Sequence, residues 1–338
     1  MIHIIGGGLQ GMSIAFLLQK KNIESVVYDR NDPGQASAAS AGIIVPWVSQ
    51  RRNKPWLKLV TGGAKYYPEF IKLLKEHTLQ EPKYKRNGAV ILFDDEKRFS
   101  KARTRIEDKK KTYPEIGELN TNIEKNSALR EGFRGLYVSG GAQITGEALL
   151  NALKDAYVNL GGVIKNNSFN VEDRNDSDTY IFTTGAWGVE QPFDPIVSHQ
   201  RAEIYHFKTL NTNYQHLPVI MHRSHYIVNT ELNHFAIGTT HIDTDSFDIS
   251  PSEENYQYLK GLVPKYFGET EFEDIEMKVG LRPYTRDFLP FIGKPMKNTY
   301  AINGLGSSGL TAAPYIAKNI VNHILTGQCD LDLTHYDY

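Results

Sequence analysis

Residues 4–16 read IIGGGLQGMSIAF, and no other stretch of the chain narrows the possible folds as much. A short β-branched run, MIHII, stops abruptly at Gly6, as a buried parallel strand does when it meets a tight turn. From Gln10 to Lys21 the apolar residues Met12, Ile14, Ala15, Leu17 and Leu18 recur at helical spacing. Asn22 can end that helix in the left-handed conformation. ESVVYDR then gives a second β-branched run that closes on Asp29. Strand, glycine turn, helix, strand and acid together form the context of a dinucleotide-binding unit.

Each part has a physical task. Gly6 permits the turn, Gly8 lets a pyrophosphate approach the backbone, and Gly11 lets helix and strand pack closely. The helix start at Leu9 and Gln10 offers free N–H groups and a positive dipole end to phosphates. Asp29, with Arg30 beside it, can accept hydrogen bonds from ribose hydroxyls; its charge would repel a 2′-phosphate and so disfavours NADP. The fingerprint alone does not separate NAD from FAD.

A length of 338 residues predicts two domains. The formal net charge of −1 gives no reason to expect nucleic acid or an anionic membrane as partner. The single cysteine, Cys329, excludes an intramolecular disulfide framework and a cysteine-rich metal site. His222 and His225 have no acid or cysteine at ligand spacing, so no metal is expected. No apolar run is long enough to span a bilayer, and no leader pattern precedes the glycine loop, which predicts a soluble, cytoplasmic protein. Residues 94–117 mix acids with bases and read as a solvated helix and loop rather than a nucleic-acid patch.

The small-residue run NDPGQASAASAGIIVP (31–46) follows the acid, and small side chains let backbone and helix dipoles approach a ligand. From here the chain resembles the FAD-dependent D-amino-acid oxidase superfamily, closest to its glycine oxidase and sarcosine oxidase-like members. Ser37, Ala38, Ala39, Ala41 and Gly42 match the family stretch that runs along the cofactor toward the flavin. GGAQITGEALLNALKDAYVNLGG (140–162) resembles the family's helix before a strand of the cofactor domain. TYIFTTGAWG (179–188) ends in Thr184, Gly185, Ala186 and Trp187, similar to the family's turn near the cofactor. GLRPYTRDFLPFIG (280–293) and INGLGSSGLTAAP (302–314) resemble its closing motifs. In the last of these, Gly306, Ser307, Ser308, Gly309 and Leu310 precede or open a final helix expected over roughly 311–326. Its amides would stabilise negative charge on reduced flavin.

The resemblance implies an α/β fold, a Rossmann-like FAD-binding domain interleaved with a smaller antiparallel-sheet substrate domain. The expected boundaries are 1–80, 137–195 and 280–338 for the FAD domain, and 81–136 and 196–279 for the substrate domain. It also implies an oxidase or dehydrogenase acting on a small amino acid or secondary amine, of the glycine, sarcosine or D-amino-acid type. Hydride passes from the substrate carbon to flavin N5, and the imine product hydrolyses; oxygen or an electron carrier accepts the electrons. FAD is expected to be non-covalent, because Cys329 matches no attachment position.

Three residues carry the substrate expectation. Arg282 matches the family's carboxylate-binding arginine, and Pro283 favours an extended backbone at that position. Tyr226 matches a tyrosine that shares the carboxylate; SHYIVN and HFAIGTT alternate like paired antiparallel strands. His241 stands where it could tune substrate choice or assist amine deprotonation, against the plainer reading of a solvated strand end. Trp47 reads as a core residue that could instead wall the pocket. HQRAEI departs from the family pattern at Arg201, Ala202 and Glu203. An NAD-linked dehydrogenase shares the fingerprint but gives no use to 302–314, and a non-catalytic flavin-binding protein gives no use to Arg282 and Tyr226. The exact amine is left open, as is a homo-oligomeric state.

Overall fold

The computed structural model describes residues 1–123, 132–191, 193, 197–210, 217–267 and 271–337. The first strand, Ile2–Ile5, is flanked on both sides by parallel strands, Ser25–Tyr28 and Thr179–Phe182. Strands covered by helices need apolar residues, which is why MIHII and TYIF are mostly apolar; the exception in the first, His3, pairs with Asp178. The sheet has six strands: Val163–Lys165 closes one edge, and Thr299–Asn303 with antiparallel Phe291–Met296 closes the other. Helices Leu9–Lys20, Lys54–Lys75, Gly146–Asn159 and Gly309–Thr326 share one large core, with Met12, Ile14, Tyr67 and Ile316 fully buried. The first helix ends as its sequence suggests, with Asn22 at φ 58°.

The second sheet has nine strands and is built around one long antiparallel pair, Ser198–Thr209 and Phe272–Tyr284. His225–Glu231 and His234–Gly238 pair antiparallel, as the alternation of their residues suggests. Helix Glu253–Phe267 covers this sheet through Leu259, Val263 and Tyr266, packed on Tyr205, Phe207 and Ile237. Glu96–Thr112 is a charged helix with only Ala102 and Ile106 buried, capped by the Asp95 carboxylate. Among the described residues no helix is long and apolar enough to cross a membrane.

The chain crosses between the sheets several times. Residues 81–136 and 196–279 supply strands of the larger sheet, but Phe272–Tyr284 continues past 280, so Arg282 still belongs to it. The boundary expected at 195/196 lies outside the described residues. Glu203, in the departing HQRAEI segment, is fully buried; it pairs with Arg201 and accepts from Ser252 N and Asn255 Nδ2, which fixes the start of helix Glu253–Phe267.

His206, on the same long strand, is half-buried; burial first, and the Lys278 charge second, hold its pKa down to about 4. The unfolded chain takes up that proton near pH ~6.5. His206 therefore contributes full stability above that pH and loses it as pH falls from about 6.5 toward 4, by at most about 3 kcal/mol. His206→Gln should lose less stability than the unaltered protein between about pH 7 and pH 5 in urea titrations. Parallel profiles would place the His206 pKa at its ordinary value.

Candidate active site

A cleft of about 590 Å³ runs between the two sheets, the size of a cofactor-plus-substrate site. The glycine loop lies at one end of it. Gly6, Gly8, Leu9 and Gln10 line the cleft, while Gly11 faces the sheet. A Cβ at Gly11 would stand 2.0 Å from the Gly6 carbonyl oxygen and 2.6 Å from Thr183 Oγ1, so helix and strand touch backbone to side chain here. Asp29, at the end of the second strand, is nearly buried and lines the cleft; it accepts from Gln35 Nε2 at 3.1 Å and from Asn31 N at 3.1 Å. Arg30 spans the adjacent rim, paired with Asp32 and with Glu190.

Ser37, Ala41 and Gly42 line the middle of the cleft, and Ser37 Oγ accepts from Leu9 N at 3.0 Å. Ala38 belongs to the same turn but is not on the cleft wall. Opposite stand Thr184, Gly185 and Trp187; Trp187 stacks on Phe247 at 5.7 Å. Gly306, Ser307, Gly309 and Leu310 line the wall where the final helix begins, two residues earlier than its sequence suggests. Ser308 turns inward and accepts from Trp56 Nε1 at 2.8 Å, so it backs the wall rather than forming it. Trp47 is core: it donates to the Gly140 carbonyl and does not reach the cleft.

These residues suit FAD on several observations. The helix starting at Leu9 and the 3-10 turn Gly306–Ser308 that runs into the helix at Gly309 both open onto the cleft. Apart from Leu9 N, held by Ser37 Oγ, neither start has a capping side chain, so a positive dipole end faces the cleft at each for anionic or electron-rich groups. The Gln10 carboxamide is buried with both its oxygen and its nitrogen unpartnered. Gly185 and Gly306 take left-handed φ values of 60° and 57° with nothing within 4 Å of where a Cβ would be, so the wall stays open for a flat ligand. Gly6 to Gln10 and Asp29 would hold the adenosine diphosphate half, and the 306–310 segment the ring system. Among the described residues no cluster of histidine, cysteine or acid suits a metal. Cys329 lies behind the final helix, bonded to the Leu331 carbonyl, and does not line the cleft.

The far end of the cleft holds Arg282, Tyr226 and His241 together. The backbone of Leu281 donates to the Gly34 carbonyl at 2.9 Å, which ties the end of the long strand to the loop after Asp29 and aims Arg282 at the cleft. Arg282 Nη2 donates to Gln200 Oε1 and to His241 Nδ1, the latter at 2.7 Å. Both acceptors are neutral, and among the described residues no acid forms an ion pair with this guanidinium. Burial pulls the Arg282 pKa down, opposed by Tyr226 and Asp243; at its intrinsic basicity it stays charged. Burial pushes the Tyr226 phenol well up, with Thr239 and the Arg282 charge acting the other way, so it remains an O–H donor. Burial, then Arg282, lowers the His241 pKa, which keeps that ring neutral near pH ~7. Val45, Ile204 and Met221 add apolar wall nearby. Gln35 lies in the small-residue run 31–46 and reaches Asp29 locally, without a signal of its own, whereas Gln200 behind Arg282 and the residues around Asn167 and Glu190 are brought here only by strand pairing and chain crossing.

A dinucleotide fold with a long cleft between its two sheets defines a cofactor-dependent enzyme. The chain belongs to the FAD-dependent oxidoreductase family, whose model matches residues 1–323. It is 33% identical to the uncharacterized oxidoreductase YurR of Bacillus subtilis (strain 168), over 99% of this chain and 97% of that protein. Its fold is that of iminodiacetate oxidase from Chelativorans sp. BNC1, with a TM-score of 0.91, 24% identity, and coverage of 100% of this chain and 98% of that one. Glycine oxidase from Geobacillus kaustophilus is similar too, with a TM-score of 0.85, 19% identity, and coverage of 99% and 97%. FAD is thus the cofactor. Gly11→Ala should purify with its secondary structure intact but with most of its FAD lost, read as visible absorbance per protein. Full flavin occupancy would show that the Gly6–Gly11 contact is not needed for binding.

Proposed function

We propose that this protein oxidises the C–N bond of a small amino acid or secondary amine that carries a carboxylate next to the reacting carbon. The uncompensated Arg282 guanidinium at the end of the cofactor cleft supports this reading most strongly. A half-buried cation is partly stripped of water and gains when an anion joins it, and in this reading the substrate supplies that anion. When bound, FAD supplies the two-electron acceptor.

The chain's own residues then position and exclude. Arg282 grips the carboxylate, since a guanidinium fork matches it in shape and charge. Tyr226 donates its hydroxyl to the same carboxylate. With Nδ1 engaged by Arg282, the neutral His241 ring carries its proton on Nε2, so it orients the arginine rather than taking a proton from the amine. Val45, Ile204 and Met221 keep water from the reacting carbon and leave room for a short aliphatic substituent. No strong acid or base is required, because holding the carbon in place is the larger part of the task. Iminodiacetate and glycine, named for two similar structures, both carry a carboxylate on the carbon beside nitrogen. A cytoplasmic location and non-covalent FAD belong to the same reading.

Arg282→Ala should raise KM for the amino-acid substrate about a hundredfold or more while FAD stays bound, as removal of one partner of a buried charge pair does. Tyr226→Phe should raise KM about tenfold. Steady-state kinetics with glycine, sarcosine and D-alanine measures both; an unchanged KM in Arg282→Ala would remove the carboxylate role.

A further inference from the structure

Asp243, Gln200 and Arg282 stand in one row across three neighbouring strands. Gln200 is the register partner of Asp243 on one side and of Arg282 on the other. Direct cross-strand partners place their side chains on the same face, roughly 5 Å apart. An acid and an arginine are therefore separated by a single residue. Its carboxamide fits both neighbours: Nε2 donates to Asp243 Oδ1 at 2.8 Å, and Oε1 accepts from Arg282 Nη2. A carboxamide can do this because it presents a donor to the anion and an acceptor to the cation while carrying no charge. Tyr284, two residues beyond Arg282 on its strand, also hydrogen-bonds Asp243. The other partner of the guanidinium, His241, is neutral as well.

We propose that Gln200 is a positioning residue that insulates Arg282 from Asp243, orienting the guanidinium while preventing the internal ion pair that would close the anion site. This rests on the reading that Arg282 receives the substrate carboxylate. Arginine is long enough to reach the acid across a truncated residue, and the ion pair formed would compete with any carboxylate entering the cleft. The insulating role thus differs from simple support: what harms the site is the acid, not the lost hydrogen bond.

Acetate titrated into the FAD-loaded protein, followed by the change in flavin absorption, reads the anion site directly. Gln200→Ala should weaken acetate binding about tenfold or more, and Gln200→Glu, which keeps the shape and the acceptor but supplies a counter-ion, should weaken it too. Adding Asp243→Asn to Gln200→Ala should restore binding to within about threefold of the unaltered protein, because the competing acid is gone. KM for the amino-acid substrate should move in the same order, with kcat less affected. If the double variant binds acetate as poorly as Gln200→Ala, or if Gln200→Ala binds it normally, insulation is overturned. Arg282→Ala tells the two readings apart: loss of acetate binding there keeps the anion site whatever the Gln200 variants do, whereas normal binding overturns the anion site and the insulation with it.

Discussion

A guanidinium held in a cleft by neutral acceptors is the constraint that organises this molecule. It reaches the cleft because Phe272–Tyr284, a strand of the larger sheet, runs on until the Leu281 amide bonds to the Gly34 carbonyl in the cofactor half. The fold thereby places one end of the larger sheet against the end of the smaller. The larger is not purely antiparallel as expected, since Val219–His222 runs parallel to Ala89–Phe93, and the smaller is parallel but for its edge strand Phe291–Met296. The cleft between the two sheets is a consequence of that junction, with helix starts on one side and Arg282 on the other.

Energetics and function meet at the same residues. Arg282, Gln200 and His241 carry one net positive charge with no acid directly paired to it among the described residues, and on the proposed reading the substrate's anion completes the site. The same desolvation that pulls the Arg282 pKa down and pushes the Tyr226 phenol up strengthens every hydrogen bond made to that anion. On the same reading, binding energy taken from the carboxylate would be available to fix the carbon beside it.

Much of this was legible in the sequence because its signals are local. The turn at Gly6, the helix it opens, the stop at Asn22 and the acid at 29 each follow from residues within one βαβ unit. The start of the final helix was placed at 311 rather than at Gly309, because GSS forms a 3-10 turn that runs straight into the helix. Ser308 and Ala38 stand in motif segments, yet their positions on the turn direct them away from the cleft. The sequence placed His241 at the pocket with a solvated strand end as the plainer reading; it is exposed and lines the cleft, but nothing local shows that Arg282, forty-one residues later, would donate to it. Gln200 was invisible for the same reason: its place between Asp243 and Arg282 comes from strand register, which pairs it with residues far away in the chain.

The most direct test is anaerobic reduction of the purified, FAD-loaded protein by glycine, sarcosine and D-alanine, each beside its methyl ester. The ester keeps the amine and the reacting carbon but removes the negative charge. The expected result is that the visible flavin bands bleach with at least one of the acids and persist with the matching ester. Equal bleaching by acid and ester, or none with any of the acids, would contradict an anion-gripping amine oxidoreductase.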